Sequence, residues 1–129
     1  MKFVIKDENQ IEAQLGHGKM VISSDSDIGF RPVELLVSSV AGCSGSVFYS
    51  ILKKQRLDFT EVTIDVEVER NKNEANRVVK MVLTFTVKGK QLNEKKLQRN
   101  LEITRRYCSM VRSVEESIDV VEKLTIVEE

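Results

Sequence analysis

Residues 32–56 read PVELLVSSVAGCSGSVFYSILKKQR, and this run decides the architecture. Pro32 suits the first position of a helix, where a missing N–H costs nothing. Leu36, Val40, Cys43, Val47 and Ile51 recur at three- and four-residue steps, which predicts one apolar helix face over 32–56. Val33, Val37, Phe48 and Leu52 add a second stripe beside it, so the helix is expected in a core or an interface. Lys53, Lys54 and Arg56 place charges that suit a helix C-terminus. The middle, Ala41 to Ser46, contradicts good helix chemistry. Gly42 and Gly45 each cost about 1 kcal/mol relative to alanine. Two readings account for that cost. In one, small residues permit close packing and Cys43 is a small buried hydrophobe. In the other, Cys43 is a reactive thiol in a site that needs room for a substrate.

Outward from this helix the chain alternates. Residues 2–6, 10–15 and 18–23 have the period of short strands, with Gly16-His17-Gly18 as a turn. A polar loop, 23–31, leads to Pro32 and is placed to border a pocket mouth. On the other side, Val62, Ile64, Val66 and Val68 alternate with Thr63, Asp65, Glu67 and Glu69. Val79, Met81, Leu83, Phe85 and Val87 repeat the pattern after the polar loop 71–76, which predicts a long antiparallel hairpin. Asn93 is a good N-cap for a second helix, with Leu97, Leu101, Cys108 and Val111 on one stripe and a break near Tyr107. Residues 117–127 alternate loosely and predict a closing strand. Strands, helix, hairpin, helix and strand make an α+β domain spanning 1–129.

Composition narrows the function classes. Twenty basic and twenty acidic residues cancel, and only seven of 129 residues are aromatic. That combination argues against a nucleic-acid partner, which needs excess positive charge and stacking platforms. Residues 1–10 are charged and alternating, so no secretory signal is expected, and Glu34 with several serines interrupts the apolar helix, so no membrane partner is expected. A cytoplasmic location is the default. In a reducing compartment Cys43 and Cys108 are expected as free thiols rather than a structural disulfide. Two cysteines and the lone His17 form no metal-binding spacing, so neither metal nor cofactor is expected. His17 on a hairpin turn reads as a solvated residue. Arg105, Arg106 and Arg112 flank Cys108 in sequence. Facing the sulfur they would favour its thiolate; facing solvent they would instead pair with acids such as Glu102 and Glu115.

Taken together, Pro32-Val33-Glu34-Leu35-Leu36, Ala41-Gly42-Cys43 within a long helix and Tyr107-Cys108-Ser109 at the end of a second resemble the OsmC/Ohr family, and the order of elements does so over essentially the whole chain. The resemblance implies an OsmC-like fold in which antiparallel sheets wrap around two central helices in an intertwined homodimer, with the thiol site at the subunit interface. It also implies reduction of organic hydroperoxides or hydrogen peroxide. Cys43 would attack oxygen and become a sulfenic acid, Cys108 would condense with it to a disulfide, and an external dithiol would restore the pair. Glu34 is the candidate carboxylate of the site.

The chain also departs from the peroxide-reducing branches. Their glutamate directly follows the helix-initial proline, where Val33 stands here, and one helical step turns a side chain by about 100°. Their thiolate-stabilising arginine comes from the N-terminal strands, yet no arginine precedes Arg31; Lys2, His17 and Lys19 are the substitutes available. Ser109 replaces the proline often found after the second cysteine. A second function class therefore stands beside the enzyme: a dimeric module that binds a small apolar or thiol ligand in the same interface pocket without turnover.

Overall fold

The two alternating runs pair as expected in the computed structural model, which describes residues 1–129. β4 (Phe59–Asn71) and β5 (Arg77–Gly89) are antiparallel, and Val62, Ile64, Val66 and Val68 stand opposite Val87, Phe85, Leu83 and Met81. This puts those eight apolar residues on one face and Thr63, Asp65, Glu67 and Glu69 on the other, where Val82 stands opposite Glu67. The remaining elements are β1 (Lys2–Asp7), β2 (Gln10–Gln14), β3 (Lys19–Ile22), α1 (Pro32–Lys54), α2 (Glu94–Tyr107), α3 (Ser109–Val114) and β6 (Asp119–Glu128). They form two units, Met1–Ser38 and Ser39–Glu129.

The first unit holds an antiparallel sheet in the order β1-β2-β3. Phe30 bridges back to Ile22, so the 23–31 loop folds along β3. Gly29 is required there, because a Cβ would overlap the Val21 carbonyl. As expected, this loop borders a depression. It measures about 480 Å³ and is lined by Lys19–Val21, Ser26–Phe30 and Glu34.

The second unit holds a sheet in the order β4-β5-β6. Here the all-antiparallel expectation is corrected, because β6 pairs with β5 in parallel, from Lys80 opposite Asp119 to Gly89 opposite Glu128. The helices α2 and α3 carry the chain back to the end where β5 began, and a strand returning from such a crossover runs parallel. β5 is thus the central strand, and Met81, Leu83, Phe85 and Val87 are fully buried.

Against this sheet lies the part of α1 that belongs to the second unit. Phe48 meets Phe85 edge-on with ring centroids 5.1 Å apart, and Tyr49 meets Phe59 in the same way. The helix ends two residues before the expected Arg56. Arg56 takes a left-handed φ of 56°. Leu57 N–H then reaches Leu52 C=O and Arg56 N–H reaches Lys53 C=O, a Schellman closure made without glycine. By length and composition α1 is able to cross a membrane, contrary to the expectation from Glu34 and the serines. A core helix passes the same test, and α1 buries Val40, Ser44, Phe48 and Leu52.

Candidate functional site

The buried line of α1 is not the one that hydrophobicity predicts. Val40, Ser44, Phe48 and Leu52, at four-residue steps, are the buried positions. Cys43, Val47 and Ile51 are only half-buried. Gly45 explains part of the shift. A Cβ there would stand 3.2 Å from Ile64 Cδ1, so the glycine lets α1 approach the sheet. Gly42 has no such neighbour: a Cβ there meets nothing within 4 Å.

α2 is tied to α1 at two points. The side-chain amides of Gln55 and Asn100 exchange hydrogen bonds of 3.0 and 2.8 Å. Farther along, Ser44 Oγ donates to Cys108 Sγ across 3.3 Å. These ties hold the helices antiparallel, so residues 43 and 44 meet the end of α2. At that end the helix breaks, as expected. Cys108 is extended (φ −80°, ψ 106°) and caps both α2 and α3. Its N–H donates to Thr104 C=O, and its sulfur accepts from Val111 N–H at 3.5 Å.

This break sets the two thiols beside each other, although 64 residues lie between them: Ser44, next to Cys43, donates to Cys108 Sγ, and the hydroxyl of Ser109, next to Cys108, lies 3.6 Å from Cys43 Sγ. Both are free cysteines, Cys43 half-buried and Cys108 with no exposed surface. Their environments push them apart. Cys43 is held below the ordinary thiol value of 9.0, first by the Met110 N–H, then by Cys108 and by the Ser109 hydroxyl 3.6 Å away, with the Ser109 N–H adding to these. Cys108 is raised above the same value, chiefly by burial. Two adjacent thiols with opposite shifts differ in how readily each gives up its proton.

The arginines near Cys108 in sequence do not create this asymmetry. Arg105 pairs with Glu115 and Glu122 at 3.8 and 3.9 Å and donates to Val120 C=O. Arg112 pairs with Glu115 at 3.5 Å. The solvent-side reading of these arginines therefore holds, and the expectation of a Cys108 thiolate beside guanidinium is corrected. No cationic side chain acts on Cys43 either; neutral donors do.

Glu34 belongs to the first unit. It is exposed and accepts from Arg31 Nε at 2.9 Å, and this bond lowers its pKa. Lys19 pairs with Glu12 at 3.6 Å, and His17 is exposed on its turn. The structure thus joins Cys43 to Cys108 and gives Glu34 an arginine rather than a lysine partner.

Of the two serines at the thiols, Ser44 escapes sequence reasoning because a serine on a helix carries no signal of its own, and Ser109 enters it as the residue in place of a proline but not as a donor to Cys43. Val47, Ser50, Ile51, Ile103 and Tyr107 line an open groove of about 410 Å³ between α1 and α2; neither thiol lines it, but Val47 is one helical turn from Cys43 and Tyr107 precedes Cys108. A larger depression of about 620 Å³ on the outer face of α2 is lined by Glu94, Lys95, Gln98, Arg99, Glu102 and Arg106, and holds neither thiol.

Comparison with known proteins agrees with the fold. The family model described as OsmC-like protein matches residues 23–123. Protein YhfA of Escherichia coli is 24% identical over 117 residues, which cover 90% of this chain and 87% of that protein. Among solved structures, a hypothetical protein from Aquifex aeolicus superposes with a TM-score of 0.88 at 22% identity, over 99% of this chain and 95% of the other. The organic hydroperoxide resistance protein OhrB of Bacillus subtilis superposes with a TM-score of 0.62 at 18% identity, over 98% of this chain and 95% of the other. At these identities the structures speak for the fold alone.

Proposed function

The chain belongs to the OsmC-like family, and from that premise we propose that it is a thiol-dependent reductase of organic hydroperoxides or hydrogen peroxide that serves in oxidative-stress defence. The observation that carries this reading is the contact between Cys43 and Cys108, with the first sulfur poised to ionise and the second kept protonated. Hydroperoxide-resistance proteins among the structural neighbours support the same chemistry.

The reaction uses both thiols in turn. The Cys43 thiolate attacks the terminal peroxide oxygen; the S–O bond forms as the O–O bond breaks. The leaving alkoxide takes a proton and departs as an alcohol, or as water when the substrate is hydrogen peroxide. Cys43 is then a sulfenic acid. Cys108, once deprotonated, attacks that sulfur and expels hydroxide, which leaves a Cys43–Cys108 disulfide. An external dithiol returns the two electrons by exchange and is itself oxidised. The groove beside Val47, Ile51, Ile103 and Tyr107 suits the apolar substituent of an organic hydroperoxide.

The active form is a homodimer in this reading. Phe3, at 50% exposed, and Ile5, at 70%, leave an apolar sheet face uncovered, and Tyr107 is 74% exposed at the rim of the groove. A second copy would cover such surface and close the groove. Glu34, whose carboxylate accepts from Arg31 Nε, is assigned to substrate orientation in that assembly. A cytoplasmic location suits two thiols that must be reduced again after each turnover.

The second reading, a binding module without turnover, draws on one observation: no cationic side chain acts on Cys43. Consumption of cumene hydroperoxide with a dithiol reductant separates the two. The enzyme reading expects turnover that Cys43→Ser abolishes; equal rates in parent and variant would leave only binding.

A further inference from the structure

The Cys43 sulfur has a ring of donors and no counter-ion, and Ser109 supplies two of those donors. Its hydroxyl lies 3.6 Å from Cys43 Sγ, and its main-chain N–H, like that of Met110, acts to lower the pKa of that thiol. Because Ser109 opens α3, neither N–H has a partner inside the helix, so both are available to the sulfur. Cys108 cannot accept the Ser109 hydroxyl in competition, since its own sulfur already receives Ser44 Oγ–H and Val111 N–H.

We infer that Ser109 is a further catalytic residue of this site, whose hydroxyl and N–H, together with the Met110 N–H, hold Cys43 as a thiolate without a cationic side chain. The inference rests on the peroxide-reducing reading for its purpose, though not for its test. A proline at 109 would remove both Ser109 donors at once and leave Cys43 only the Met110 N–H and Cys108. Hydrogen bonds to an ionised acceptor are stronger than those to a neutral one, so each donor favours the thiolate over the thiol. Among titratable groups only Cys108 touches Cys43; Arg105 and Arg112 are occupied by Glu115.

The test is the pH profile of Cys43 alkylation by iodoacetamide, read by mass on the Cys43 peptide with no peroxide present. Ser109→Ala, which removes the hydroxyl alone, is expected to raise the midpoint by about half a pH unit. Ser109→Pro removes the N–H as well and is expected to raise it by about one unit. Ser109→Thr is expected to restore the parent profile. Proline suits this position, which is the first of α3 and follows an extended residue, and Ser109→Ala carries the test if the proline variant does not fold. Midpoints unchanged in both Ser109→Ala and Ser109→Pro would overturn the inference, whatever the hydroperoxide assay shows. Shifted midpoints in a protein without turnover would uphold the cradle and remove only its proposed use.

Discussion

Ser44 Oγ–H donates to Cys108 Sγ across 3.3 Å at a point where both residues are fully buried. Ser44 follows Cys43 on α1, so the bond that anchors one sulfur also fixes its distance from the other. A polar residue in the buried line of a helix needs a partner, and here that partner is the second thiol. The same bond occupies the Cys108 sulfur as an acceptor beside Cys43. Packing and redox chemistry thus depend on the same contact.

Glu122 is the misfit of the second unit. The parallel register sets it opposite Leu83 on the inward face of the sheet, its side chain is 7% exposed, and its Oε1 has no hydrogen-bond partner. Burial raises its pKa above 4.5, and Arg105 only partly opposes this. The folded state therefore holds a proton that the unfolded chain releases, and the group loses stability as pH rises through that interval. Against Glu122→Gln, the parent should gain stability as pH falls from neutral, and the difference should level off below 4.5. Urea midpoints of the two proteins across this range check it; a difference independent of pH would contradict it.

Gly42 distinguishes the chain alone from the proposed homodimer. Nothing in the chain lies within 4 Å of a Cβ at this position. Gly42→Ala should therefore gain up to about 1 kcal/mol of helix stability, visible as a raised thermal midpoint. Gly42→Leu should move the sedimentation profile from dimer to monomer if a second copy packs on this face of α1. An unchanged dimer with leucine in place would remove Gly42 from the interface.

Much of this arrangement is legible in the sequence. The hairpin follows from alternation at 62–69 and 79–87, broken only at Val82, because a sheet with one wet face leaves a period of two. The extent of α1 and the break at Cys108 follow from Pro32 and from the weak helix formers Ser109 and Ser113. The buried face of α1 is less legible. Ser44 counts as polar and Cys43 as apolar, so periodicity turns the helix by one residue, whereas Gly45 against Ile64 and the Ser44–Cys108 bond set its true orientation. Alternation in β6 carries no strand direction and does not reveal that Glu122 faces inward. The arginines near Cys108 mislead for a similar reason. A helix that breaks at residue 108 does not keep residues 105, 108 and 112 on one face, and Glu115 holds Arg105 and Arg112 elsewhere.

The most direct test of the redox account is one equivalent of cumene hydroperoxide added to the reduced protein, followed by mass spectrometry of the intact chain and its peptides. The account predicts the rapid loss of two hydrogens and a single species linking the Cys43 and Cys108 peptides, and no such product in Cys43→Ser. Two thiols that remain open to alkylation after the peroxide is added, or a Cys43 sulfinic acid beside an untouched Cys108, would contradict it.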